Sequence, residues 1–312
     1  MIKQEMSLSK KQKGKAIVES VAKYIFTICA IASIIAVFSI TFYMIQKGTP
    51  ALFEVGIKEI LFHTVWEPAS KTEPQYGILY IILTSIVGTA MAILIGVPIG
   101  VLAAIFLSEV ASDKVAALVK PVVELLAGIP SVVYGLLGIM ILNPLIYQLE
   151  QKIYADSTTH QFTGGKNLLA GVLVLAIMIL PTVINMTESS LRAVPVQLRA
   201  ASYALGASKI QTIFHVVLPA AKSGVITAIV LGIGRAIGEA MAISFVAGNS
   251  VNAPFPFHSV RFLTTALVSE MEYSADTHRE VLFTIGLVLF AFIMLINLLI
   301  GKLLKKNEKK HG

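Results

Sequence analysis

Residues 77–107 read GILYIILTSIVGTAMAILIGVPIGVLAAIFL, a stretch that contains no charged side chain. A helix needs about 20 apolar residues to cross the hydrocarbon core of a bilayer, so this stretch predicts a membrane-spanning helix. At about 1.5 Å per residue the stretch is longer than the core is thick. The helix must therefore tilt, project beyond the core or break, and residues 96–100 are the obvious break point because Pro98 has no backbone N–H to donate.

Five more apolar runs surround this stretch. The six candidate spans are 24–45, 77–107, 122–147, 168–187, 223–248 and 281–301. Hydrophobic residues make up 56% of the 312 residues and charged residues 14%, against about 45–50% and about 25% in soluble domains. This composition excludes an ordinary soluble enzyme, a disordered chain and a nucleic-acid-binding protein.

The prolines and glycines inside these runs predict a packed bundle. Pro130, Pro144 and Pro181 invite kinks, which a membrane tolerates only where neighbouring helices or side chains satisfy the freed carbonyls. The pairs Gly96/Gly100 and Gly234/Gly238 would allow close helix approach. We expect both pairs to pack within the chain.

The distribution of basic residues predicts the topology. If the N-terminus is cytoplasmic, the inside segments hold 17 of the 25 Lys and Arg residues and the external loops hold seven. The positive-inside rule therefore places both termini in the cytoplasm, and this anchoring accounts for the net charge of +7. We expect a basic N-terminal tail at 1–23, a transmembrane domain at 24–301 and a basic C-terminal tail at 302–312. Loops 46–76 and 249–280 would face outward as docking surfaces.

No catalytic constellation is present in the sequence. It contains no Walker A, GxGxxG, HExxH or CxxC pattern, and its six histidines show no metal-ligand spacing. We expect a protein that is not an enzyme, with no metal and no cofactor of its own. If it transports a solute at the expense of ATP, another chain binds the ATP.

The predicted cytoplasmic loop 188–222 contains the sequence AVPVQLRAASYALGASKIQTIFHVVLP at 193–219. Pro195 suits the start of a helix, Gly206 suits the left-handed residue that closes it, and Ser208 with Gln211 forms a capping box that opens a second helix. The loop is therefore predicted to be two short helices. The first is amphipathic, and such a helix either enters a groove of a partner protein or rests on lipid headgroups.

This loop resembles that of the permease subunits of type I ABC importers, which carry E-A-A-x-x-x-G, nine more residues and I-x-L-P. Ala200, Ala201 and Ser202 stand at the E-A-A positions, Gly206 matches, and Leu218-Pro219 ends the pattern, while the glutamate is missing. The resemblance implies that the loop docks on an ATPase subunit. The residues implied in coupling are Arg199, Ala200, Ala201, Ser202, Gly206, Ser208, Leu218 and Pro219.

Two ionisable residues lie deep in the fifth apolar run. Arg235 is near its middle, where an Arg costs at least about 2.5–3.5 kcal/mol to insert, and Glu239 follows one helical turn later. Either the two form a self-neutralising ion pair, or Arg235 meets a passing anion and Glu239 holds the guanidinium between passages. Glu124, near a cytoplasmic end, is expected to snorkel or pair with Lys120.

Two stretches resemble the permease of the phosphate-specific transporter, PstC type. These are GRAIGEAMA at 234–242 and LAGIPSVVYGL at 126–136. The resemblance implies that Arg235 and Glu239 take part in phosphate passage. Ser131 and Tyr134 could donate to phosphate or could instead satisfy carbonyls freed by Pro130, and the sequence leaves both open.

The expected protein is an all-α integral membrane permease with six helices and a cytoplasmic two-helix coupling loop, located in a bacterial plasma membrane. The resemblance implies four kinds of partner besides membrane lipid: a PstA-type permease, two PstB-type ATPase subunits and an extracytoplasmic phosphate-binding protein. The alternatives are a permease for another oxyanion, such as sulfate or molybdate, and an ion-coupled secondary transporter or channel. The latter would show inverted repeats, and no convincing repeat relates 24–147 to 168–301.

Overall fold

The structure is a computed structural model that describes residues 2–70 and 72–308. Met1 and residues 309–312, which belong to the two predicted tails, lie outside the described residues. The described part of the chain is mostly helical, as the apolar runs predict.

The first half of the chain begins with one long helix. Its elements are α1 (Ile2–Ala51), a π-helical turn (Leu52–Gly56), α2 (Ile57–Phe62), β1 (Trp66–Glu67), β2 (Gln75–Tyr76), α3 (Leu79–Ile105), a π turn (Phe106–Val110), α4 (Asp113–Gly128), α5 (Ser131–Leu137), a π turn (Gly138–Leu142) and α6 (Asn143–Ile153). The two strands form an antiparallel hairpin. Residues 2–23 of the predicted tail continue the helix of the first span.

The second half contains the loop singled out above. Its elements are α7 (Leu168–Arg192), α8 (Val196–Ala204), α9 (Lys209–Thr212), a π turn (Ile213–Val217), α10 (Leu218–Ala220), α11 (Lys222–Gly238), α12 (Met241–Val246), α13 (Leu263–Glu270) and α14 (Asp276–Glu308). Asn167 caps α7 by accepting a hydrogen bond from the N–H of Ala170 at 3.1 Å.

Five described helices are long and apolar enough to cross a membrane, and a sixth span arises if one bent pair is counted. The five are Glu19–Phe62, Leu79–Val110, Ser131–Ile153, Leu168–Arg192 and Asp276–Leu299, and the bent pair is Lys209–Ala220 with Lys222–Gly238, which meet at 72°. We call the end of the bundle that carries residues 106–112 and 193–221 the coupling end. The opposite end, with residues 52–78, 154–167 and 247–275, is the far end.

The core is built around α3 and α7, which run side by side in the same direction. A Cβ on Gly96 would lie 2.7 Å from Ile179 Cδ1, and one on Gly100 would lie 2.8 Å from Val183 Cγ1. The packing predicted for this glycine pair is confirmed. Of the three possibilities for this long run, the break at 96–100 is not formed, because α3 continues through Pro98 as one helix, so the span must tilt or project beyond the core.

Two other runs break where a single span was expected. The run 122–147 is interrupted at Ile129-Pro130, so that α4 ends at Gly128 and the spanning helix begins at Ser131. The run 223–248 is interrupted at Glu239-Ala240, between α11 and α12. At each break the residue that directly follows the first helix has an extended backbone conformation. This residue is Ile129 after α4 and Glu239 after α11.

The contact between α3 and α7 can be tested at Gly96. We expect Gly96→Val to destabilise the protein by about 1–3 kcal/mol, since the added methyl groups must displace Ile179 in a filled interface. The measurement is the midpoint of thermal unfolding in detergent. Gly301→Val is the matched control, because nothing lies within 4 Å of a Cβ at Gly301. Equal midpoints for the two variants would contradict the packing.

Candidate functional site

Arg235 lies in the last turn of α11, at the interrupted fifth run. The residue is half-buried, and its Nε is buried without a hydrogen-bond partner. Arg235 takes part in none of the ion pairs formed by the described residues. An unpaired guanidinium at this depth is available to an anion.

Glu239 does not stack on Arg235 along one helix, because α11 ends one residue before it. Its carboxylate accepts a hydrogen bond from the N–H of Ala242 at 3.0 Å, and its carbonyl accepts one from the Thr264 hydroxyl at 2.7 Å. The self-neutralising ion pair with Arg235 is not formed. Glu239 instead caps the start of α12 and is anchored there by α13.

Tyr134 repairs the break before α5. Its hydroxyl donates to the carbonyl of Leu126 at 2.8 Å. Leu126 is four residues before Pro130, and it is the carbonyl that a helical N–H at that position would have bonded. Of the two roles open for Tyr134, the structure shows the structural one. Ser131 is half-buried at the first position of α5.

The two broken segments meet in the middle of the bundle. A Cβ on Gly135 of α5 would lie 3.0 Å from Ala242 Cα and 2.7 Å from Phe245 Cδ2, both in α12. The Glu239 carboxylate bonds to Ala242 in the same helix α12 that packs on Gly135, the neighbour of Tyr134. The two helix interruptions, with Tyr134 at one and Arg235 and Glu239 at the other, therefore lie close together.

The face of α11 next to Arg235 is open. Nothing lies within 4 Å of a Cβ built on Gly234 or on Gly238. The expectation that this pair packs within the chain is therefore wrong. Leu231, one turn before Arg235, is also exposed, at 46%.

The coupling loop has the predicted form. Pro195 precedes α8, Gly206 closes it with φ of 83°, and Ser208 forms a capping box with Gln211. The side chain of Ser202, at the position of the second alanine of E-A-A, is buried and lies 2.9 Å from the Thr212 hydroxyl. This hydrogen bond joins the two arms of the loop, so the serine has a structural role.

The outer surface of the loop is apolar and exposed. Ala200, Ala201, Gly206, Ser208 and Pro219 are exposed, and Leu218 is half-buried. The large exposed apolar side chains are Val196, Leu198, Tyr203, Leu205, Ile210 and Phe214, with Leu205 90% exposed. A cluster of this kind on one short loop is typical of a protein-binding surface.

Arg199 points away from that surface. Its guanidinium contacts Glu109 through two N–H groups, with NH2–Oε1 at 2.8 Å and Nε–Oε2 at 3.3 Å. Glu109 is not among the residues that the sequence motifs mark. A glutamate at the end of an apolar run, opposite an arginine on an amphipathic helix, is the signal that could have identified it.

A second buried carboxylate, Glu188, also lies at the coupling end. It contacts Lys120 at 3.3 Å and Arg192, which is itself within 3.4 Å of the Leu107 carbonyl. Lys120 is therefore paired with Glu188, and Glu124 is exposed on α4. The expected pairing of Glu124 with Lys120 is not formed.

The far end carries two polar clusters. Glu270 accepts hydrogen bonds from Trp66 at 3.1 Å and from His278 at 2.9 Å and contacts Arg261. These side chains line a pocket of about 790 Å³. Nearby, burial raises the pKa of the Tyr76 hydroxyl, and the Glu54 carboxylate adds to the rise. This cluster joins the two loops predicted to be external.

The second cluster surrounds Glu150, which is fully buried. Its carboxylate accepts from the Thr163 N–H and hydroxyl, both at 3.0 Å, and lies 2.9 Å from His160 Nε2. Tyr154 stacks on the His160 ring with centroids 3.7 Å apart. Among residues 2–70 and 72–308, no group of three or more His, Cys, Asp or Glu side chains could hold a metal ion.

Comparison with known proteins places these features in a family. The family model described as "Binding-protein-dependent transport system inner membrane component" matches residues 96–309. The matched region includes the coupling loop and both broken segments, while α1 and the β-hairpin lie outside it.

Similar proteins extend over nearly the whole chain. "Probable ABC transporter permease protein YqgH" of Bacillus subtilis (strain 168) is 37% identical over 95% of this chain and 97% of its own length. "Phosphate transport system permease protein PstC" of Xylella fastidiosa (strain Temecula1) is 32% identical over 96% and 95%, and the protein of that name from Haemophilus influenzae is 28% identical over 98% and 99%.

A solved structure shares the fold. An inward-facing crystal structure of the MetNI methionine ABC transporter matches 74% of this chain and 94% of its own chain, with a TM-score of 0.51 and 21% identity. The expected fold class, the type I ABC importer permease bundle, is confirmed.

The capping role of Glu239 gives a testable prediction. Glu239→Ala removes the acceptor for the Ala242 N–H and should destabilise the protein by about 1 kcal/mol. Glu239→Gln keeps an oxygen in the same place and should leave the thermal unfolding midpoint in detergent close to that of the wild type. A midpoint for Glu239→Ala equal to that for Glu239→Gln would refute the capping role.

Proposed function

The chain belongs to the family of binding-protein-dependent transport system inner membrane components, and we propose that it is the permease through which such a system imports inorganic phosphate. The relatives named as phosphate permeases support this substrate, since they align over nearly the whole chain. The observation that carries the proposal is the unpaired guanidinium of Arg235 in the interrupted fifth run.

Family membership determines the general role. The chain is a multi-pass membrane protein and a permease subunit of a type I ABC importer. Permeases of this family work with a second permease, ATPase subunits and a substrate-binding protein, and the ATPase activity resides in the partner subunits. We propose a PstA-type permease, two PstB-type ATPase subunits and an extracytoplasmic phosphate-binding protein as the specific partners. The chain then needs no cofactor, because its partners bind the ATP.

The position of Arg235 supports a substrate path beside α11. A charged side chain in the hydrocarbon core is costly, so it faces protein or water. The neighbouring Gly234 and Gly238 leave an open face on α11 that this chain does not cover. The second permease is the natural occupant of this face, because close helix approach at glycines would enclose the guanidinium between the two subunits. Phosphate would then cross the membrane along that interface.

The chemistry of the site suits an oxyanion. A guanidinium presents a planar set of donors that matches two oxygens of a phosphate. Glu239 stands at the end of the same helix as Arg235 but bonds to the N-terminus of α12. Because the Glu239 carboxylate bonds to α12 and not to Arg235, the guanidinium is free to bind an anion. The negative charge of Glu239 nearby would also weaken the binding of that anion, so that the anion can leave again. Ser131 is a further hydroxyl at the start of α5.

The coupling end receives the ATPase subunits in this proposal. The exposed surface formed by Ala200, Ala201, Gly206 and the apolar side chains around them would enter a groove of the partner. Both termini and this loop would be cytoplasmic, and the far end with its Glu270 and Glu150 clusters would face the binding protein. ATP binding would then drive alternating access through the loop.

Another oxyanion remains the second candidate for the substrate. Sulfate and molybdate present the same tetrahedral oxygens to Arg235, and the relative with 37% identity is named without a substrate. The same complex with sulfate or molybdate as substrate would keep every step of the scheme. Only a competition experiment separates these anions.

Uptake of labelled phosphate tests the proposal directly. Proteoliposomes would contain this chain, the co-purifying permease and ATPase subunits, and the phosphate-binding protein on the appropriate side. We expect uptake that needs ATP and that unlabelled phosphate alone competes away. Uptake independent of ATP would point to a channel or an ion-coupled carrier. Competition by sulfate or molybdate would show that the protein transports another oxyanion.

Arg235→Gln should abolish phosphate uptake while the complex still assembles, since Gln keeps the polar bulk but has no charge with which to attract an anion. Removal of one charge-assisted contact of about 1.5–3 kcal/mol corresponds to at least a tenfold loss. Arg235→Lys is the control for charge without the planar donor set and should retain part of the uptake. Wild-type uptake by Arg235→Gln would exclude a role in passage.

A further inference from the structure

Arg199 joins three helices at the coupling end. It lies on α8, and its side chain is only 18% exposed, while that of its partner Glu109 is 10% exposed. The guanidinium donates to both carboxylate oxygens, at 2.8 and 3.3 Å. Glu109 belongs to the π turn that continues α3. This fork-to-fork pair is the strongest geometry available to an arginine and a carboxylate.

The same guanidinium also binds the end of α7. Its Nη2 donates to the carbonyl of Leu191 at 2.9 Å, and its Nη1 donates to the carbonyl of Val194. Leu191 lies in the last turn of α7, where its carbonyl also accepts from the Val194 N–H at 3.2 Å, and Val194 follows two residues after the helix ends at Arg192. Arg199 therefore adds hydrogen bonds to the C-terminal end of α7 and contacts Glu109 at the end of α3 at the same time.

The helices held by Arg199 already form one body. The glycine contacts of α3 interlock it with α7 along the bundle, through Gly96 against Ile179 and Gly100 against Val183. A packed interface of this kind does not deform continuously. A displacement of α8 must therefore either move α3 and α7 together or break the hydrogen bonds of Arg199.

We propose that Arg199 and Glu109 are positioning residues that transmit the movement of the coupling loop to α3 and α7. This inference rests on the proposed function, because it deepens the role of the loop as the ATPase contact. It also revises the role that the resemblance implies for Arg199, whose charge is turned into the permease and is not presented to the ATPase. The partner contacts the outer surface, where Ala200 and Ala201 are exposed.

The ion pairs that Lys120 and Arg192 each form with Glu188 lack the bidentate geometry of the contact between Arg199 and Glu109. Those two cations are about half exposed, at 48% and 52%, and Glu188 and Arg192 lie on the same helix. That cluster fastens α4 to α7 and does not touch α8. Arg199 is thus the ionic connection that the structure shows between α8 and the helices of the bundle.

The test measures phosphate uptake and ATP hydrolysis in the same proteoliposomes, with the complete complex. The variants are Glu109→Gln, Arg199→Lys and Arg199→Ala. The control is Lys114→Gln, which removes an exposed cation that forms no ion pair among the described residues. We expect the amount of phosphate transported per ATP hydrolysed to fall about tenfold in the first three variants, while the rate of ATP hydrolysis stays high. The free energy lost with a charge-assisted hydrogen-bond pair corresponds to a change of about that size. The control should keep the wild-type ratio.

The charge exchange Glu109→Arg with Arg199→Glu supplies the rescue. It restores the ion pair with its direction reversed, and we expect it to recover part of the transport per ATP. A wild-type ratio in both Glu109→Gln and Arg199→Ala would overturn the proposal. A loss of uptake and of ATP hydrolysis in equal proportion would also overturn it, because that is the result of a merely structural contact.

A distance measurement does not depend on the substrate. Spin labels at Gln197→Cys on α8 and Leu94→Cys on α3, in a Cys29→Ser background, report whether the two helices move together when ATP is trapped. We expect an unchanged distance with Glu109 present and a shifted distance with Glu109→Gln. If the wild type imports no phosphate, the substrate is wrong and this measurement still decides the connection. An equal shift of this distance in the protein with Glu109 and in the Glu109→Gln variant would refute the proposed connection.

Discussion

Hydrocarbon offers no hydrogen-bond partners, so each polar group in the spanning helices must be satisfied by the protein itself. The two interrupted runs show how this is done. The Tyr134 hydroxyl takes the carbonyl that Pro130 cannot bond, and the Glu239 carboxylate takes the N–H of Ala242 at the start of a new helix. In α1, the hydroxyls of Thr27 and Thr41 donate to the carbonyls four residues earlier. Buried polar atoms of Thr84, Asn143 and Thr187 in the spanning helices lack a partner, as does the Nε of Arg235, which among the described residues is the one such atom that belongs to an arginine or a lysine.

The same requirement explains why polar side chains gather at the interruptions. An unbroken helix uses its backbone internally and has none to offer a passing ion. Where α11 ends and α12 begins, the charged side chains of Arg235 and Glu239 come together with backbone groups that bond to side chains instead of to their own helix. The cost of such a break is tolerated because α5 packs closely on α12 through Gly135. The open faces of Gly234 and Gly238 then leave room for a second chain, which the proposed function assigns to the partner permease.

The sequence predicts the fold class and the coupling loop well because both follow from local chemistry. Apolar runs mark spans, and Gly206 with Ser208 and Gln211 marks the turn and cap, as the structure confirms. Helix continuity depends on neighbours instead. Pro98 stays inside α3 because the helix packs along α7. Pro130 instead directly precedes a new helix, and the Tyr134 hydroxyl donates to the Leu126 carbonyl that Pro130 cannot bond. The contact between Arg199 and Glu109 joins residues 90 positions apart, and no single-chain periodicity reveals such a pairing.

The coupling loop and Arg235 lie on one continuous segment of the chain. Residues 209–220 lead through a 72° bend into α11, which ends beside Arg235. Helix α11 packs on α7, and α7 packs on α3, so all three belong to one body. Arg199 fastens α8 to that body on the other side of the loop. A push on the outer surface of the loop therefore reaches Arg235 by two routes, along the chain through α11 and across the ion pair through α3 and α7. Because the loop is held at both of its ends, we expect a rotation of the whole body and not a local bending of α11. Under the proposed function, such a rotation would carry Arg235 from one side of the interface with the second permease to the other.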